Sequence, residues 1–444
     1  MKVLKFGGTS MQDSGAIIKV SEIISSQNEN LVVVVSAMGG MTDSLISLTK
    51  CLKLGDYECA YEQAEQIRSK HVKTVYELDL GKHGFDYIQE IFTKLFDIVK
   101  ASRIIREVSD RMEAKIISFG EMLSSGLLYH LLLKQGRQAF YVDSRKLIQT
   151  ASDYPEAEVE IEKTYKTIYS VINPQFTEVS IAIAPGFVGS GHDGETTLLG
   201  RGGSDYSAAL YAAALKASSL EIWTDVNGMF TTDPRSFSDA RLIEKLSYSE
   251  AAELAYFGAK VLHPKTILPA IERDIPVIIK NTFNPDEKGT TITAESFLPG
   301  RIKAIAYRKG ITVINVASNR MLGAHGFLAM VFDIFREYKT PVDIVTTSEV
   351  SISLTIDNDS RLMDIKQKLQ EFSTVKSESG YAIIAAVGEG IRDMSGIAAR
   401  FFGVLKGVNV NMVSVGASEI NISITVKEDR LEEAVSLLHK EFIG

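Results

Sequence analysis

Cysteine is nearly absent from this chain: Cys51 and Cys59 are the only two in 444 residues. Two thiols cannot build a disulfide framework or supply the four ligands of a structural zinc site, so both are expected as ordinary reduced thiols. Positive charge is not in excess either. Forty-eight Lys and Arg face 56 Asp and Glu, a net charge of -8. Such a chain has no broad basic field for a nucleic acid or an anionic membrane, although a local basic pocket can still hold nucleotide phosphates. Long apolar runs are missing too. The N-terminal one, Met1 to Gly8, is broken by lysine and glycine, and no stretch nears the ~20 apolar residues that span a bilayer. A cytoplasmic protein without membrane or nucleic-acid partners is expected.

Several catalytic signatures are also lacking. No H-E-x-x-H or Ser/His/Asp hydrolase motif occurs, and the seven histidines are scattered, so no resident metal is expected. The single Gly-Lys step, Gly81-Lys82, precedes His83 and makes no Walker A loop. Gly189 to Gly194 matches G-x-G-x-x-G, but polar Glu195-Thr196-Thr197 follows where a helix would have to start. That excludes the dinucleotide fingerprint.

What remains is a modular chain with ample apolar content. Its length exceeds one ordinary core, and 45% hydrophobic residues can fill two or three. Over the first ~300 residues, short β-branched runs alternate with amphipathic stretches, the pattern of an α/β sheet covered by helices. Strand candidates are Lys2–Phe6, Leu31–Val35, Ser180–Ala184, Leu220–Thr224 and Pro276–Lys280, and Asp56 to Ser109 reads as an inserted helical hairpin. From about Arg301 the chain repeats itself at a spacing of ~70 residues. Phe327, Met330, Val331, Ile334, Phe335 and Tyr338 mark one helix, and Met394, Ile397, Ala398, Phe401, Phe402 and Leu405 its counterpart. Each leads to paired strands, Val342–Val345 with Ser348–Leu354 and Val410–Val413 with Ser418–Ile424, and to a closing helix, Arg361–Phe372 or Leu431–Phe442. One β-α-β-β unit is used twice, as a dimerisation appendage or as a ligand-binding regulatory pair.

Four polar constellations carry the chemistry. Lys5-Phe6-Gly7-Gly8-Thr9-Ser10 ends a strand before a helix starting near Asp13, where backbone N–H groups can cradle phosphate. Ser36 to Thr42 again puts small residues at the carboxyl end of a strand, where open α/β sheets bind ligands. Gly200-Arg201-Gly202-Gly203-Ser204-Asp205 precedes an alanine-rich helix read as Ser207–Ala217, and an arginine set among glycines suits a substrate carboxylate. Trp223 to Arg235 is too long and too polar for a simple turn and could frame a nucleotide.

Together with Phe119-Gly120-Glu121 and Phe257 to Pro264, these segments resemble the signatures of the aspartate kinases in order and spacing along essentially the whole chain. The resemblance implies an amino-acid-kinase sandwich with a mostly parallel sheet over 1–300 and two ferredoxin-like ACT units over 301–444. The first unit would cover about 318–380, inserted within a second made of about 301–317 plus 381–444. It further implies transfer of the ATP γ-phosphoryl group to the β-carboxylate of L-aspartate, the first step towards lysine, threonine and methionine, in a monofunctional enzyme. Lys5, Asp205 and Lys260 would be catalytic. Lys5, Gly7, Gly8, Ser36, Thr224, Asp225, Phe230, Asp233, Arg235 and Lys260 would contact the nucleotide. Thr42, Glu121, Phe187, Arg201, Gly202 and Ser204 would hold aspartate. Relatives commonly carry tyrosine at the position of Phe230 and threonine at that of Leu198, so two hydroxyls are missing here.

The chemistry agrees. A side-chain carboxylate with a reference pKa near 3.9 is already ionised and needs no general base. Cations must bring it up to an anionic triphosphate, a task for Lys5, Lys260 and Mg²⁺ held mainly by the phosphates. In the repeat, the turn at Gly323 to Leu328 opens a helix whose free N–H groups suit an effector carboxylate, while Asp343 and Glu349 suit its ammonium groups. Thr347 and Ser348 add hydroxyls, and Met321, Ala324, Gly326, Phe327, Leu328 and Val342 complete the expected effector site. Lysine is the favoured effector and threonine the second. Pairing of exposed ACT strands would give a homodimer or a dimer of dimers. The competing readings are another amino-acid kinase, such as a glutamate 5-kinase, and a non-catalytic amino-acid sensor.

Overall fold

A computed structural model describes all residues except 152, 153, 155, 259–261, 296–299, 319, 320 and 322–324. The chain divides into two compact units, one of Met1–Met229 with Val261–Ala294 and the other of Phe230–Lys260 with Glu295–Gly444.

The first unit runs β1 (Lys2–Phe6), α1 (Ser14–Ser25), β2 (Leu31–Val35), α2 (Met41–Lys53), α3 (Tyr57–Glu77), α4 (Gly81–Ile105), α5 (Asp110–Lys134), β3 (Ala139–Tyr141), α6 (Ile161–Ile172), β4 (Ile181–Pro185), β5 (Val188–Ser190), β6 (Thr196–Leu198), α7 (Gly203–Leu215) and β7 (Ser219–Thr224). The second unit contributes β8 (Lys245–Ser247) and α8 (Tyr248–Phe257) before the first resumes with α9 (Leu268–Ile271), β9 (Val277–Asn281) and β10 (Thr290–Thr293). The strands of the first unit's main sheet lie in the order β3-β4-β2-β1-β7-β9-β10, parallel except for β10. All five expected strands form, their ends within one residue of expectation. Both faces of this sheet are covered, which is why the Leu31–Val35 run is apolar without alternation and buried throughout.

The expected helical hairpin is α3 and α4. Asp56 caps the first through Cys59 N–H, and Ala60, Ala64, Ile67 and His71 form its buried stripe. Two expectations need correcting. Cys51 and Cys59 are not free thiols but a bonded pair, because the turn between α2 and α3 brings their Cα atoms to 5.9 Å. Helix α5 is long and apolar enough to cross a bilayer by length and composition, and 78% of that stretch is buried inside the protein. It is a core helix. Its serines and glycines interrupt the apolar run in the sequence. The glycine-rich Gly189–Gly194 segment begins within β5 and turns back towards antiparallel β6, which is where no dinucleotide fold could begin.

The second unit continues with β11 (Ala304–Ala317), α10 (Phe327–Glu337), β12 (Val345–Thr347), β13 (Ser351–Ile356), α11 (Leu362–Gln370), β14 (Thr374–Val387), α12 (Ile397–Val404), β15 (Val410–Val415), β16 (Asn421–Lys427) and α13 (Leu431–Phe442). Its antiparallel sheet has the order β12-β13-β11-β14-β16-β15. Two cores line it, one built on α10 and α11, the other on α12 and α13. The strand boundaries differ from expectation for one reason in both repeats. Ser348 and Ser418 turn the chain with their hydroxyls, accepting from Val350 and Ser351 N–H and from Ile420 N–H, so β13 and β16 start three residues later. At Val342–Ile344, the Thr355 hydroxyl takes the Ile344 N–H and the regular ladder waits until Val345.

Candidate active site

Loops at the carboxyl ends of β1, β2 and β4 and the start of α7 meet at one cleft of about 670 Å³. This edge of a parallel sheet is the expected place for a ligand. β1 delivers Lys5, whose ammonium lies 2.6 Å from Asp205 Oδ1. Helix α7 begins at Gly203, four residues earlier than the alanine run suggested, because Gly202 takes the left-handed conformation (φ 71°) and ends the preceding turn. Ser204 and Asp205 therefore lie in its first turn. Phe187 also has positive φ (69°), held by its N–H donating to Ser207 Oγ at 2.9 Å.

Helix α5 crosses behind the second loop. Ser124 Oγ donates to the Ser36 carbonyl at 2.6 Å, and a Cβ on Gly120 would stand 2.9 Å from the Ala37 Cβ. Gly120 thus lets the helix press against the loop, and the next residue, Glu121, enters the cleft. Glu121 is 3% exposed and its Oε2 has no hydrogen-bond partner among the described residues. Burial pushes the Glu121 carboxyl up to about 8, against the pull of two backbone N–H bonds and of Lys5. It is a nearly bare carboxyl waiting for a cation. Gly120→Ala should lower the urea midpoint despite alanine's higher helix propensity: the gain of about 1 kcal/mol is outweighed by overpacking worth about 1–3 kcal/mol.

Of the expected site residues, Lys5, Gly8, Ser36, Thr42, Glu121, Phe187, Arg201, Gly202, Ser204 and Asp205 line this cleft, as does Leu198. Gly7 is next to it, its N–H donating to the Trp223 carbonyl at 3.1 Å, and Thr224 and Asp225 follow on the adjacent strand end. Phe230, Asp233 and Arg235 belong to the second unit, where Arg235 pairs with Asp233 at 2.9 Å. Lys260 lies outside the described residues. Asp43, Glu113, Ile117 and Glu156 also line the cleft and were missed. Glu113, Ile117 and Glu121 are spaced by four on α5, so the helical period connects them once Glu121 is singled out.

A cleft with the Lys5–Asp205 ion pair, an exposed arginine and a buried carboxyl oxygen that has no partner among the described residues suits a zwitterionic substrate beside a phosphate. The amino acid kinase family model matches residues 1–281, and an ACT domain model matches 384–442. Lysine-sensitive aspartokinase 3 of Escherichia coli is 36% identical over 445 residues, covering 98% of each chain. The chain belongs to the aspartokinase family. Chloroplastic aspartokinase 1 of Arabidopsis thaliana is 36% identical over 459 residues, covering 99% of this chain and 80% of its own. Two solved structures of E. coli aspartokinase III span both chains fully: the complex with lysine and aspartate (T-state), 35% identical with a TM-score of 0.88, and that with aspartate and ADP (R-state), 34% and 0.83. This aspartokinase is an ATP-dependent phosphotransferase that phosphorylates the β-carboxylate of L-aspartate.

The expected effector residues fall on the first repeat, apart from Ala324, which is outside the described residues. Gly326 (φ 85°) caps α10, Phe327 is buried behind it, and Leu328 is exposed. Met321 and Val342 pack on the same core. Thr347, Ser348 and Glu349 are exposed, and the Ser348 hydroxyl is 2.8 Å from that of Ser351. The Asp343 side chain is buried, 3% exposed, and its Oδ1 accepts from Tyr256 OH at 2.6 Å and Arg308 Nη1 at 3.1 Å. Its Oδ2 has no hydrogen-bond partner among the described residues, and burial raises the carboxyl above the usual range.

Proposed function

We propose that Glu121 receives the aspartate ammonium and Arg201 its α-carboxylate, with Thr42, Phe187, Gly202 and Ser204 closing around the substrate. The buried, unpartnered Oε2 of Glu121 is the observation that carries this reading. Lys5 and Lys260 neutralise the transferring phosphoryl group, and Asp205 orients Lys5 through their ion pair. Gly7, Gly8 and Ser36 meet the phosphates, and Thr224, Asp225, Phe230, Asp233 and Arg235 frame the rest of the nucleotide. Mg²⁺ would be carried mainly by the phosphate oxygens of ATP, where it would offset their charge. A coupled ADP-release assay across amino acids tests the reading. ADP should form with aspartate and not with glutamate, and equal rates with both would overturn it.

The domain boundary falls at about residue 300 in this reading, with the first ACT unit inserted in the second, in a cytoplasmic enzyme that associates through its ACT strands as a dimer or dimer of dimers. Lysine is the effector, threonine the second choice. The lysine complex of the E. coli relative and the buried Oδ2 of Asp343, which has no hydrogen-bond partner among the described residues, support this, since a ligand ammonium would satisfy that atom. A coupling of ~1–3 kcal/mol between effector and substrate sites would give clear inhibition. Millimolar lysine should slow initial rates at subsaturating aspartate, and Asp343→Ala should lose most of that inhibition. Unchanged inhibition in Asp343→Ala would move the effector site elsewhere.

A further inference from the structure

Strands β1, β7 and β9 are neighbours, and the loops leaving their carboxyl ends are tied together by three polar side chains that lie outside the lining of the Lys5–Glu121 cleft. Ser10 belongs to the loop after β1. Its hydroxyl donates to the Trp223 carbonyl on β7 at 3.2 Å and lies 2.7 Å from the hydroxyl of Thr282, the residue after β9. Ser10 and Thr282 are fully buried, and Thr282 N–H donates to the Thr224 carbonyl at 2.9 Å. Asn281, one residue earlier, reaches the other side. Its Nδ2 donates to Asn227 Oδ1 at 2.7 Å and to the Asp225 carbonyl at 3.3 Å, while its Oδ1 accepts the Phe283 N–H at 2.8 Å.

The dipeptide Asn281-Thr282 therefore grips two loops at once: the glycine loop of β1 through Ser10, and the Thr224–Asn227 segment through Asn281. We propose that Ser10, Thr282 and Asn281 form a positioning clamp that sets the phosphate-contacting loop against the loop that frames the rest of the nucleotide. The clamp rests on the nucleotide roles proposed for those two loops. Gly7 and Gly8 have no side chain to fix them, so the loop that must meet a triphosphate is held by its own later residues, and Ser10 is the first buried polar side chain available. Its bond to Thr282 spans the intervening strand β7, so the two outer strand ends cannot shift independently. Buried hydroxyls paired to each other are a rigid tie, because breaking the pair strands both away from water. None of the three is charged, and none lines the cleft that holds Lys5 and Glu121. Their effect is thus on ATP and not on aspartate.

The test is steady-state kinetics and ADP calorimetry on Ser10→Ala, Thr282→Val, Thr282→Ser and Asn281→Ala in the full chain. The alanine and valine variants are expected to raise KM for ATP about five- to tenfold, with KM for aspartate within about twofold and ADP affinity falling in parallel. Thr282→Ser should restore the native values, since it keeps the hydroxyl. The double variant Ser10→Ala with Thr282→Val should be little worse than either single one, as two ends of one bond behave in a mutant cycle. Unchanged KM for ATP overturns the clamp. So does an equal rise for both substrates with a lowered melting temperature, which would mark plain packing. Native enzyme that released no ADP with aspartate would instead overturn the functional reading, and ADP calorimetry on the same variants would still judge the clamp.

Discussion

Lys5→Ala is expected to turn over at least ~10²-fold more slowly than the native enzyme with its fold intact. Two anions must be brought together in this reaction, the triphosphate of ATP and the aspartate side chain. At an effective dielectric of roughly 20, two unit charges ~4 Å apart repel by about 4 kcal/mol, nearly a thousandfold in rate. Lys5 is placed to offset this because β1 is paired on both sides, with β2 and β7, leaving its backbone no freedom. The ammonium is in turn held by Asp205. Losing the lysine both removes a cation and leaves that carboxylate facing the phosphates. Lys5→Arg should recover only part of the rate, as a planar fork cannot occupy the position of a compact ammonium. Steady-state kinetics with far-UV circular dichroism on the same samples checks this. Near-native turnover in a folded Lys5→Ala protein would remove Lys5 from the chemistry.

The aspartate side of the site should reveal itself through pH. With its carboxyl raised by burial to about 8, Glu121 is mostly protonated at pH 7 and must lose that proton to pair with a substrate ammonium. Apparent affinity for aspartate therefore rises with pH up to about 8 and weakens below it. The limiting slope is about tenfold per pH unit, since the ionised fraction falls by that factor. The substrate's own ammonium stays charged over this range. Between pH 6 and 8, KM for aspartate should fall steeply in the native enzyme and stay nearly flat in Glu121→Gln, while KM for ATP shows no matching trend. Glu121→Ala and Arg201→Ala should chiefly impair aspartate use and leave ATP binding much less affected. A collapse of ATP affinity with aspartate affinity preserved would show that these roles are misassigned.

Much of this site was legible because its parts are continuous in sequence. Lys5 to Gly8, Phe119 to Glu121 and Gly200 to Asp205 each announce themselves by glycines beside charges; the first lies at the carboxyl end of a parallel strand, and helix α5 and the start of α7 bring the other two to the same cleft. The resemblance to aspartate kinases supplied the roles, which glycines and charges alone did not. Asn281 and Thr282 gave no such signal. A single polar dipeptide after a strand looks like any loop, and only the neighbouring positions of β1, β7 and β9 bring it to Ser10. The repeat in the second unit was visible from helical periodicity, whereas Ser348 and Ser418 were read as strand residues because turn-forming serines and strand serines look alike without their partners. Asp343 was the subtlest case. Its acidity was evident, but its engagement depends on Tyr256 of α8, nearly ninety residues earlier, and on Arg308 of β11.

Strands β11 and β14 are each 14 residues long, and each serves both halves of the second unit's sheet. The far half of β11 pairs with β13 and the near half only with β14, whose own second half continues to β16. Their register slips between Arg308 and Val313, at the point where one half gives way to the other. The two halves are in this sense a single beam with a joint in it. Neither can be excised or melted without taking the other's strands away, so the unit should unfold as one cooperative block. A twist imposed at one end is passed along covalent backbone, through that joint, before any side chain has to move.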